Sequence, residues 1–433
     1  MSRAINLGNR RRRVRVTSVL AGVATVGLVL TGCGGAGAEG DGAAVESVPY
    51  GASVEEFQAA LADMDPVTLV YQLPVGPNNE WSTRAEEFKE KVEEYSGDNI
   101  TIELVFSDGI ASAEQGADDA LRDGRIDINN LAPYVMAQEF PLAGELQSEV
   151  SSLKGSEIVT STLADFGATN EALWHTPEYV EEFEGHDLNL TMPAPWSHNV
   201  VVACTSPVTS LDDLAGKQIR TANLVNSGQI EALGATPVTV EYADVYESLQ
   251  RGLVDCSMAG ASAIISAGGV LEVAPYVIAP DGASFGSSGG SKVTGASWHD
   301  LPLAAQQLIF DSLAEMDIAG VENEVTSVMA DLFEQATANG GGFYSFDSDV
   351  ADALQDYNDD LVAGWADSTL IDGTAFLDRF ETAQAEWATL VEDAGYPASG
   401  TLSDFEEWYD PDLDFTAYED LFAENVIVPN RPS

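Results

Sequence analysis

The sequence has very few positively charged residues. Its 433 residues include 71 Asp and Glu but only 18 Lys and Arg, which gives a formal charge of −53 at pH 7. A chain with this balance repels nucleic acid and bare anionic surfaces, so we predict no nucleic-acid partner. The acidic residues are spread along the chain. We therefore ascribe the charge to solubility, with adaptation to salt as the alternative.

Sequence motifs of common enzymes are also absent. The chain has no G-x-S-x-G, H-E-x-x-H or Walker A sequence, and no G-x-G-x-x-G after a strand. The four histidines are far apart and none has a partner at i, i+4: His175, His186, His198 and His299. We predict no catalytic residue, no cofactor and no metal, hence a protein that is not an enzyme. An exported hydrolase is the alternative that turnover would reveal.

The first 32 residues have the pattern of an export signal. Six of the 18 cations come before Cys33, and the apolar run "VTSVLAGVATVGLVL" follows them. The run ends in "LTGC", which resembles the bacterial lipobox, whose cysteine carries the lipid. We predict a signal peptide over 1–32, lipidation of Cys33, and an exported protein anchored to the outer face of the cell membrane. A plain secretory signal and twin-arginine export are the alternatives.

The rest of the chain alternates between strand and helix patterns. Residues 33–64 begin Gly- and Ala-rich and are predicted to be a flexible tether, which ends in a weak helical pattern, "SVEEFQAALADM". Strand patterns at 67–73, 100–106 and 126–131 are separated by helical patterns, which predicts a parallel sheet with crossover helices. A second α/β unit follows in "NVVVACTS", "KQIRTA", "TPVTV" and "LVDCSM", and beyond residue 300 the chain is rich in helices.

These patterns predict an α/β protein with a two-lobed, periplasmic-binding-protein-like fold. Ligands of open α/β sheets bind at the carboxyl ends of strands, so two facing sheets form a cleft that closes by a hinge. We place the first lobe at 65–197 and about 286–325. The second lobe, with the long C-terminal helices, is at 198–285 and about 326–395. Residues 396–433 are an acidic C-terminal extension that either wraps the body or extends from it.

Two cysteines remain after Cys33. Cys204 and Cys256 each lie in an apolar run that is typical of a strand. In an oxidising exterior compartment two such residues often pair. We predict a disulfide between them, and two buried free thiols are the alternative.

Three ordered blocks of the second unit resemble a known family. The segments "SLDDLAGKQIRT" and "EALGATPVTVEYADVYESLQRGLVDCSMAG" are similar to the DctP-type solute-binding subunits of TRAP transporters. The first block matches at Leu211, Asp213, Leu214, Gly216 and Arg220; the second at Leu233, Gly234, Ala235, Pro237 and Val238; the third at Val245, Tyr246, Leu249, Gln250, Gly252, Val254 and Asp255. Flanking similarities extend the resemblance from about 67 to about 320, and the family fold would cover 67–395.

The resemblance implies an extracytoplasmic receptor that binds a small organic acid and delivers it to a TRAP-type, ion-driven permease. A module that feeds a membrane sensor and an ABC-type solute-binding protein are the alternatives. In the family, the arginine at the position of Arg220 binds a substrate carboxylate. A pairing of Arg220 with Asp212 or Glu241 is the structural alternative.

The chain departs from the family where relatives carry a second cleft arginine. Asn199 and Val200 are near that position, and Met258 lies where relatives often have Asn. The chain therefore has fewer side chains than its relatives to bind an acidic group. The ligand is expected to be a monocarboxylate, a bulkier acid or a solute without a carboxylate. Position in the fold predicts further cleft residues, each with core packing, capping or loop anchoring as its structural alternative: Tyr242, Trp196, Asn129, Asn130, Gln72 and Phe285.

Overall fold

Two mixed β-sheets organise the part of the chain that the structure describes. The computed structural model describes residues 47–150, 157–195, 199–221, 223–240, 244–287, 290–396 and 400–433. In these residues the strands are β1 Val67–Gln72, β2 Ile100–Val105, β3 Ile128–Leu131, β4 Asn189–Met192, β5 Val200–Cys204, β6 Gln218–Thr221, β7 Thr236–Thr239, β8 Cys256–Gly260, β9 Tyr276–Ala279, β10 Ser291–Thr294 and β11 Gly342–Ser345. All of them belong to one compact unit, Val45–Ser433.

The first sheet has the strand order β2-β1-β3-β10-β4. Strands β1, β2 and β3 are parallel, as the alternation of strand and helix patterns predicts. Strand β10 enters from much later in the chain and pairs antiparallel with both β3 and β4. This late strand places Lys292 opposite Asn130 at the cavity edge of the sheet.

The second sheet has the strand order β11-β9-β5-β8-β6-β7. Strands β6, β7 and β8 are parallel to one another, and β5 lies antiparallel between β8 and β9. Cys204 of β5 is directly opposite Cys256 of β8, and a disulfide of 2.07 Å joins their sulfur atoms. The disulfide cross-links two neighbouring strands in the middle of the sheet.

Helices cover both sheets and make up most of the chain after residue 300. They are α1 Val54–Ala60, α2 Glu80–Ser96, α3 Ala117–Arg122, α4 Pro141–Val150, α5 Ile158–Trp174, α6 Pro177–Glu184, α7 Leu211–Leu214, α8 Leu224–Ala232, α9 Val245–Gln250, α10 Ala261–Ser266, α11 Val270–Val273, α12 Leu303–Asn323, α13 Met329–Ala338, α14 Ser348–Ala363, α15 Gly373–Asp393, α16 Phe405–Trp408, α17 Thr416–Phe422 and α18 Val428–Asn430. A π-helical turn, Glu324–Val328, joins α12 to α13. None of the described helices is long and apolar enough to cross a lipid bilayer.

Helix α12 is the central helix of the molecule. It is buried on most of its circumference, including the polar residues Gln307, Asp311 and Asp317. A helix that is apolar nearly all round must be covered on all sides. Helix α2 and the C-terminal extension pack against α12, and part of its surface lines the cavity described below.

The segment predicted to be a tether is partly folded. Within 33–64, Val48, Phe57 and Leu61 are buried in the main hydrophobic core, and the backbone N–H of Val48 donates to Gln307 Oε1 at 2.8 Å. A capping box at Ser53 and Glu56 starts α1. The prediction of a tether up to residue 64 is therefore wrong for 48–61, because these apolar side chains find space in the core.

The acidic C-terminal extension packs against the body. Phe405, Phe415, Tyr418 and Phe422 are buried, and the Tyr418 hydroxyl donates to the Leu163 carbonyl oxygen at 2.9 Å. Of the two arrangements left open by the sequence, the structure has the wrapped one. Its acidic composition is compatible with this packing because the aromatic residues between the acids supply the contact.

The end of the extension is held by a buried ion pair. Arg431 Nε and Nη2 donate to Asp311 Oδ1 and Oδ2 of α12 at 2.8 Å and 2.7 Å, which is a two-bond fork. The side chains of Arg431 and Asp311 are only 9% and 7% exposed. Arg431 Nη1 also donates to the Val48 carbonyl oxygen. One arginine therefore joins the C-terminal extension, α12 and the segment before α1.

Two neighbouring acidic residues, Glu322 and Glu419, predict that the stability of the folded protein depends on pH. Burial raises the pKa of Glu322 on α12 to about 7, and the neighbouring carboxylate of Glu419 on α17 adds to the shift. Because the folded protein holds the proton of Glu322 more tightly than the unfolded chain does, Glu322 contributes most to the free energy of unfolding at low pH. This contribution falls as the pH rises from about 4.5 towards 7. We expect the melting temperature to rise when the pH is lowered from 8 to 6.

The variant Glu322→Gln should melt higher than wild type at pH 8 and should show a smaller change between pH 8 and pH 6. Differential scanning calorimetry at the two pH values measures both effects. Glu386→Gln, which changes an exposed residue of α15, is the matched control and should keep the wild-type pH dependence. An unchanged slope in Glu322→Gln would contradict the assignment.

Candidate functional site

A small cavity opens where the edges of the two sheets meet. Its volume is about 150 Å³, a size that holds one benzene-sized molecule. The first sheet contributes Tyr71, Gln72, Asn130 and Lys292, and Gly260 ends β8 of the second. Side chains of α2, α10 and α12 complete the wall: Glu80, Trp81, Arg84, Ser262, Ala263, Met316, Asp317 and Val321. The carboxyl ends of β1, β3 and β8 thus converge on one space, as the general rule for open α/β sheets predicts.

One cation of the cavity wall is fixed by α2 and α12 together. Arg84 Nε lies 2.5 Å from Glu80 Oε1, and its Nη1 donates to the Met316 carbonyl oxygen at 3.0 Å. Gly320 makes this contact possible, since a Cβ atom there would lie 2.4 Å from Arg84 Nη1. Asn323 donates to the same Glu80 oxygen at 3.0 Å. The guanidinium group is therefore held in place by the protein.

The second cation of the wall forms a buried ion pair. Lys292 Nζ contacts Asp317 Oδ1, and the side chains are 4% and 2% exposed. Burial lowers the pKa of Lys292 and raises that of Asp317, while the attraction between the two groups opposes both shifts. The second oxygen, Asp317 Oδ2, is buried and has no hydrogen-bond partner in the protein. Burial also raises the pKa of the Tyr71 hydroxyl, with the Asp317 charge adding to the shift.

The structure brings two of the predicted strand-end residues to the cavity. Gln72 and Asn130 both line it. The Gln72 side chain is engaged by the neighbouring loop, because Nε2 donates to the Ala111 carbonyl oxygen at 2.7 Å and Oε1 accepts from Ile110 N at 2.9 Å. Asn129 does not line the cavity, and its side-chain Nδ2 donates to the Gln72 carbonyl oxygen at 3.2 Å. Gln72 is thus part of the wall, and Asn129 supports the strand end behind it.

Arg220 lies at the carboxyl end of β6 and is not among the residues that line the cavity. It is 7% exposed, and its Nε donates to the Val240 carbonyl oxygen at 3.1 Å. Its charge also acts on Tyr134, which follows β3 of the first sheet. Burial raises the pKa of the Tyr134 hydroxyl, and the guanidinium of Arg220 opposes that shift.

Two predicted cleft residues belong to the hydrophobic core. Met258 and Phe285 are each 1% exposed and pack in a cluster on the second sheet, where Phe285 meets Phe346 edge-on at 6.2 Å. The prediction that they line the cleft is wrong, because their apolar side chains fill the space under α8 and α14. For Met258 this outcome is the core-packing alternative, and for Phe285 it is the loop-anchor alternative.

Asn199 is buried directly before β5. It is 6% exposed; Oδ1 accepts from Thr162 Oγ1 at 3.1 Å, and its backbone oxygen accepts from Ala261 N at 2.9 Å. The side-chain Nδ2 is buried without a protein partner. Trp196, Tyr242 and Cys33, which the sequence also predicts to be functional, lie outside the described residues.

Sequence reasoning missed the charged residues that dominate the cavity wall. Arg84 and Glu80 are a helical i, i+4 pair, which is a common surface pattern. A sharper signal was present in "LAEMDIAGV", where Asp317 interrupts an apolar helix, and in "SKVT", where Lys292 interrupts a strand. Buried charges of opposite sign usually pair. Among the described residues no cluster of three or more His, Cys, Asp or Glu is arranged to hold a metal ion.

Together, the two mixed sheets, the cavity at their strand ends and the long C-terminal helices are features of the two-lobed α/β binding-protein fold. Residues 170–368, just under half of the chain, match the sequence model of the DctP family, bacterial extracellular solute-binding protein, family 7. This part of the chain is similar to that family, and the predicted α/β fold class is confirmed.

Similarity to individual proteins is of two kinds. The chain is 32% identical over 133 residues to the ectoine-binding periplasmic protein TeaA of Halomonas elongata, which is 30% of this chain and 34% of TeaA. The sequence match thus spans about a third of that relative's length. The TeaA structure aligns with a TM-score of 0.60 at 20% identity, covering 74% of this chain and 100% of that chain.

A second solved structure gives the same fold. DctP7 of Bordetella pertussis, an extracytoplasmic solute receptor that binds pyroglutamic acid, aligns with a TM-score of 0.59 at 18% identity. The alignment covers 73% of this chain and 99% of that chain. Nearly all of each solved structure is thus matched, while about a quarter of this chain is additional.

Proposed function

We propose that this protein is an extracytoplasmic receptor that binds a small organic acid between its two sheets and delivers it to a TRAP-type, ion-driven permease. The cavity carries the proposal, because it is small, places charged side chains in a largely apolar wall, and is built from strand ends of both sheets. The match of residues 170–368 to the DctP family and the ligands named for similar proteins, ectoine and pyroglutamic acid, support it. Binding and release are the whole of the proposed activity, and no catalytic step is assigned.

The proposed lobes follow the two sheets. Residues 65–197 and about 286–325 supply β1–β4, β10 and α12, and residues 198–285 and about 326–395 supply the remaining strands. In this proposal the chain crosses between lobes near Asn199. Closure of the lobes would bring Arg220 towards a ligand that rests against Tyr71 and Asn130. Small-angle X-ray scattering with and without ligand measures the closure as a fall in the radius of gyration.

Isothermal titration calorimetry against a library of small carboxylates tests the binding function. Mass spectrometry of solutes released from the purified protein by denaturation provides candidates that the library lacks. We expect one solute to bind at a single site with a 1:1 ratio. A protein that binds no member of the library and releases no solute would refute the receptor function.

We further propose that Cys33 carries a lipid that holds the protein at the outer face of the cell membrane. The support is the "LTGC" sequence after an apolar run, which lies outside the described residues. Wild-type protein expressed in a bacterium grown with radiolabelled palmitate should incorporate label and sediment with membranes. Cys33→Ser should lose both properties, whereas Cys256→Ser, tested in parallel, should keep the label. Labelling of Cys33→Ser would rule out this site.

A further inference from the structure

We infer that the ligand of this cavity carries a positively charged or hydrogen-bond-donating nitrogen, which binds Asp317 Oδ2, in addition to its acidic group. The inference rests on the proposed receptor function and narrows its ligand class to zwitterions and nitrogen-bearing acids. Three observations on the cavity wall carry it. Its cations are paired with protein groups, one carboxylate oxygen has no hydrogen-bond partner, and carboxylates outnumber cations among the lining residues.

Protein groups already occupy the cations of the cavity wall. Glu80 and the Met316 carbonyl oxygen hold the guanidinium of Arg84. Asp317 holds the ammonium group of Lys292. A simple anion entering the cavity would have to compete with a fixed carboxylate for either cation, which makes the cavity wall itself a poor anion site.

One hydrogen-bond acceptor of the cavity wall, Asp317 Oδ2, has no donor in the protein. Asp317 is 2% exposed and lines the cavity, and its Oδ2 receives no hydrogen bond from the protein. A buried acceptor without a donor is destabilising, and a charged one more so. An N–H group of a ligand would supply the missing bond, and a cationic N–H would do so most strongly.

The lining charges favour the same ligand. Three carboxylates, those of Glu80, Asp317 and Glu324, face the cavity together with two cations, Arg84 and Lys292. Carboxylates therefore outnumber cations among the lining residues, and at close range a carboxylate attracts a positive group on a ligand.

Arg220 provides the opposite end of the site. It lies at the carboxyl end of β6, outside the cavity lining, and its charge acts on Tyr134, which follows β3 of the first sheet. A ligand whose carboxylate meets Arg220 and whose nitrogen meets Asp317 would be bound at both ends. This arrangement selects a compact molecule with separated charges over a plain carboxylic acid of the same size.

Matched pairs of solutes test the inference by calorimetry. In each pair a CH₂ group replaces the charged ring nitrogen: proline with cyclopentanecarboxylate, and pipecolate with cyclohexanecarboxylate. Ectoine, and any solute released from the purified protein, are measured beside them. We expect the nitrogen-bearing member of a pair that binds to be at least about tenfold tighter, as expected for one charge-assisted hydrogen bond.

The variant Asp317→Asn should reduce this preference to about twofold or less while circular dichroism shows a folded protein. If the variant does not fold, Asp317→Asn combined with Lys292→Met removes both charges of the pair and tests the same preference. The wild-type ratio decides the question even if neither variant folds.

The outcomes separate the two proposals. A carbocyclic acid that binds wild type as tightly as its nitrogen-bearing partner, or a released ligand without a nitrogen, overturns the ligand class and leaves the receptor function intact. A preference that survives Asp317→Asn also overturns it. The absence of any bound solute overturns the receptor function and this inference with it.

Discussion

Replacing Arg220 with alanine is expected to weaken the binding of the ligand by about 100-fold or more. The side chain is buried and comes from the carboxyl end of β6, so a carboxylate that meets it is largely out of water. Charge-assisted hydrogen bonds of this kind contribute roughly 1.5–3 kcal/mol each, and a guanidinium group can donate two to one carboxylate. Titration calorimetry with the identified ligand measures the loss.

Two further variants show whether the effect belongs to the geometry of the guanidinium group. Arg220→Lys keeps the charge but loses the fork, so it should recover only part of the affinity. Arg251→Ala removes an exposed arginine from the surface pair with Glu247 and should bind like wild type. An Arg220→Ala protein with wild-type affinity would show that the arginine has a structural role only.

The largest effect on stability is expected from Arg431→Ala. This change leaves the buried carboxylate of Asp311 without its partner and removes the bond to the Val48 carbonyl oxygen. Breaking one side of a buried ion pair costs about 3–5 kcal/mol. For a folded unit of this size that corresponds to a fall of about 5 °C in melting temperature. Thermal unfolding followed by circular dichroism measures it.

The loss of stability in Arg431→Ala should become smaller as the pH is lowered. Burial already raises the pKa of Asp311, and Arg431 opposes this shift. Without the arginine, the pKa of Asp311 rises further, and the buried group becomes neutral at low pH. We therefore expect the difference between wild type and Arg431→Ala to be smaller at pH 5 than at pH 8.

A surface pair provides the matched control for this prediction. Arg125 and Asp123 are 3.7 Å apart with side chains 49% and 69% exposed, so Arg125→Ala should cost at most about 0.5 kcal/mol. The double variant Arg431→Met with Asp311→Leu should regain most of the lost stability, since no charge is left buried. Equal melting temperatures for Arg431→Ala and Arg125→Ala would contradict a role for the buried pair.

The strand patterns of the sequence predicted the elements that form the core of both sheets. β1, β2, β3 and the strands around Cys204 and Cys256 were all found from alternation and apolar runs. β9, β10 and β11 were missed, because Pro, Gly and Ser residues next to these short strands hide the alternation. Such short strands form because neighbouring strands of the sheet pair with them. The local sequence does not show which strand the partner will be.

The candidate site shows the same division between local and long-range information. The rule that strand ends face the ligand found Gln72 and Asn130, and the family resemblance pointed to Arg220. Lys292 and Asp317 are separated by 25 positions and meet only after β10 has joined the first sheet. Met258 was misplaced because a strand residue faces one of two sides, and the sequence alone did not say which side was core.

The Cys204–Cys256 disulfide has a consequence for the maturation of the protein. In an antiparallel pair, a slip of one residue would turn every side chain of a strand to the opposite face. The covalent bond permits one register only, and that register sets Val200 opposite Gly260, which borders the cavity. Thiols remain reduced in the cytosol and are oxidised outside it. In the exported protein that we propose, the bond forms outside the cytosol and fixes the register of β5 and β8 there.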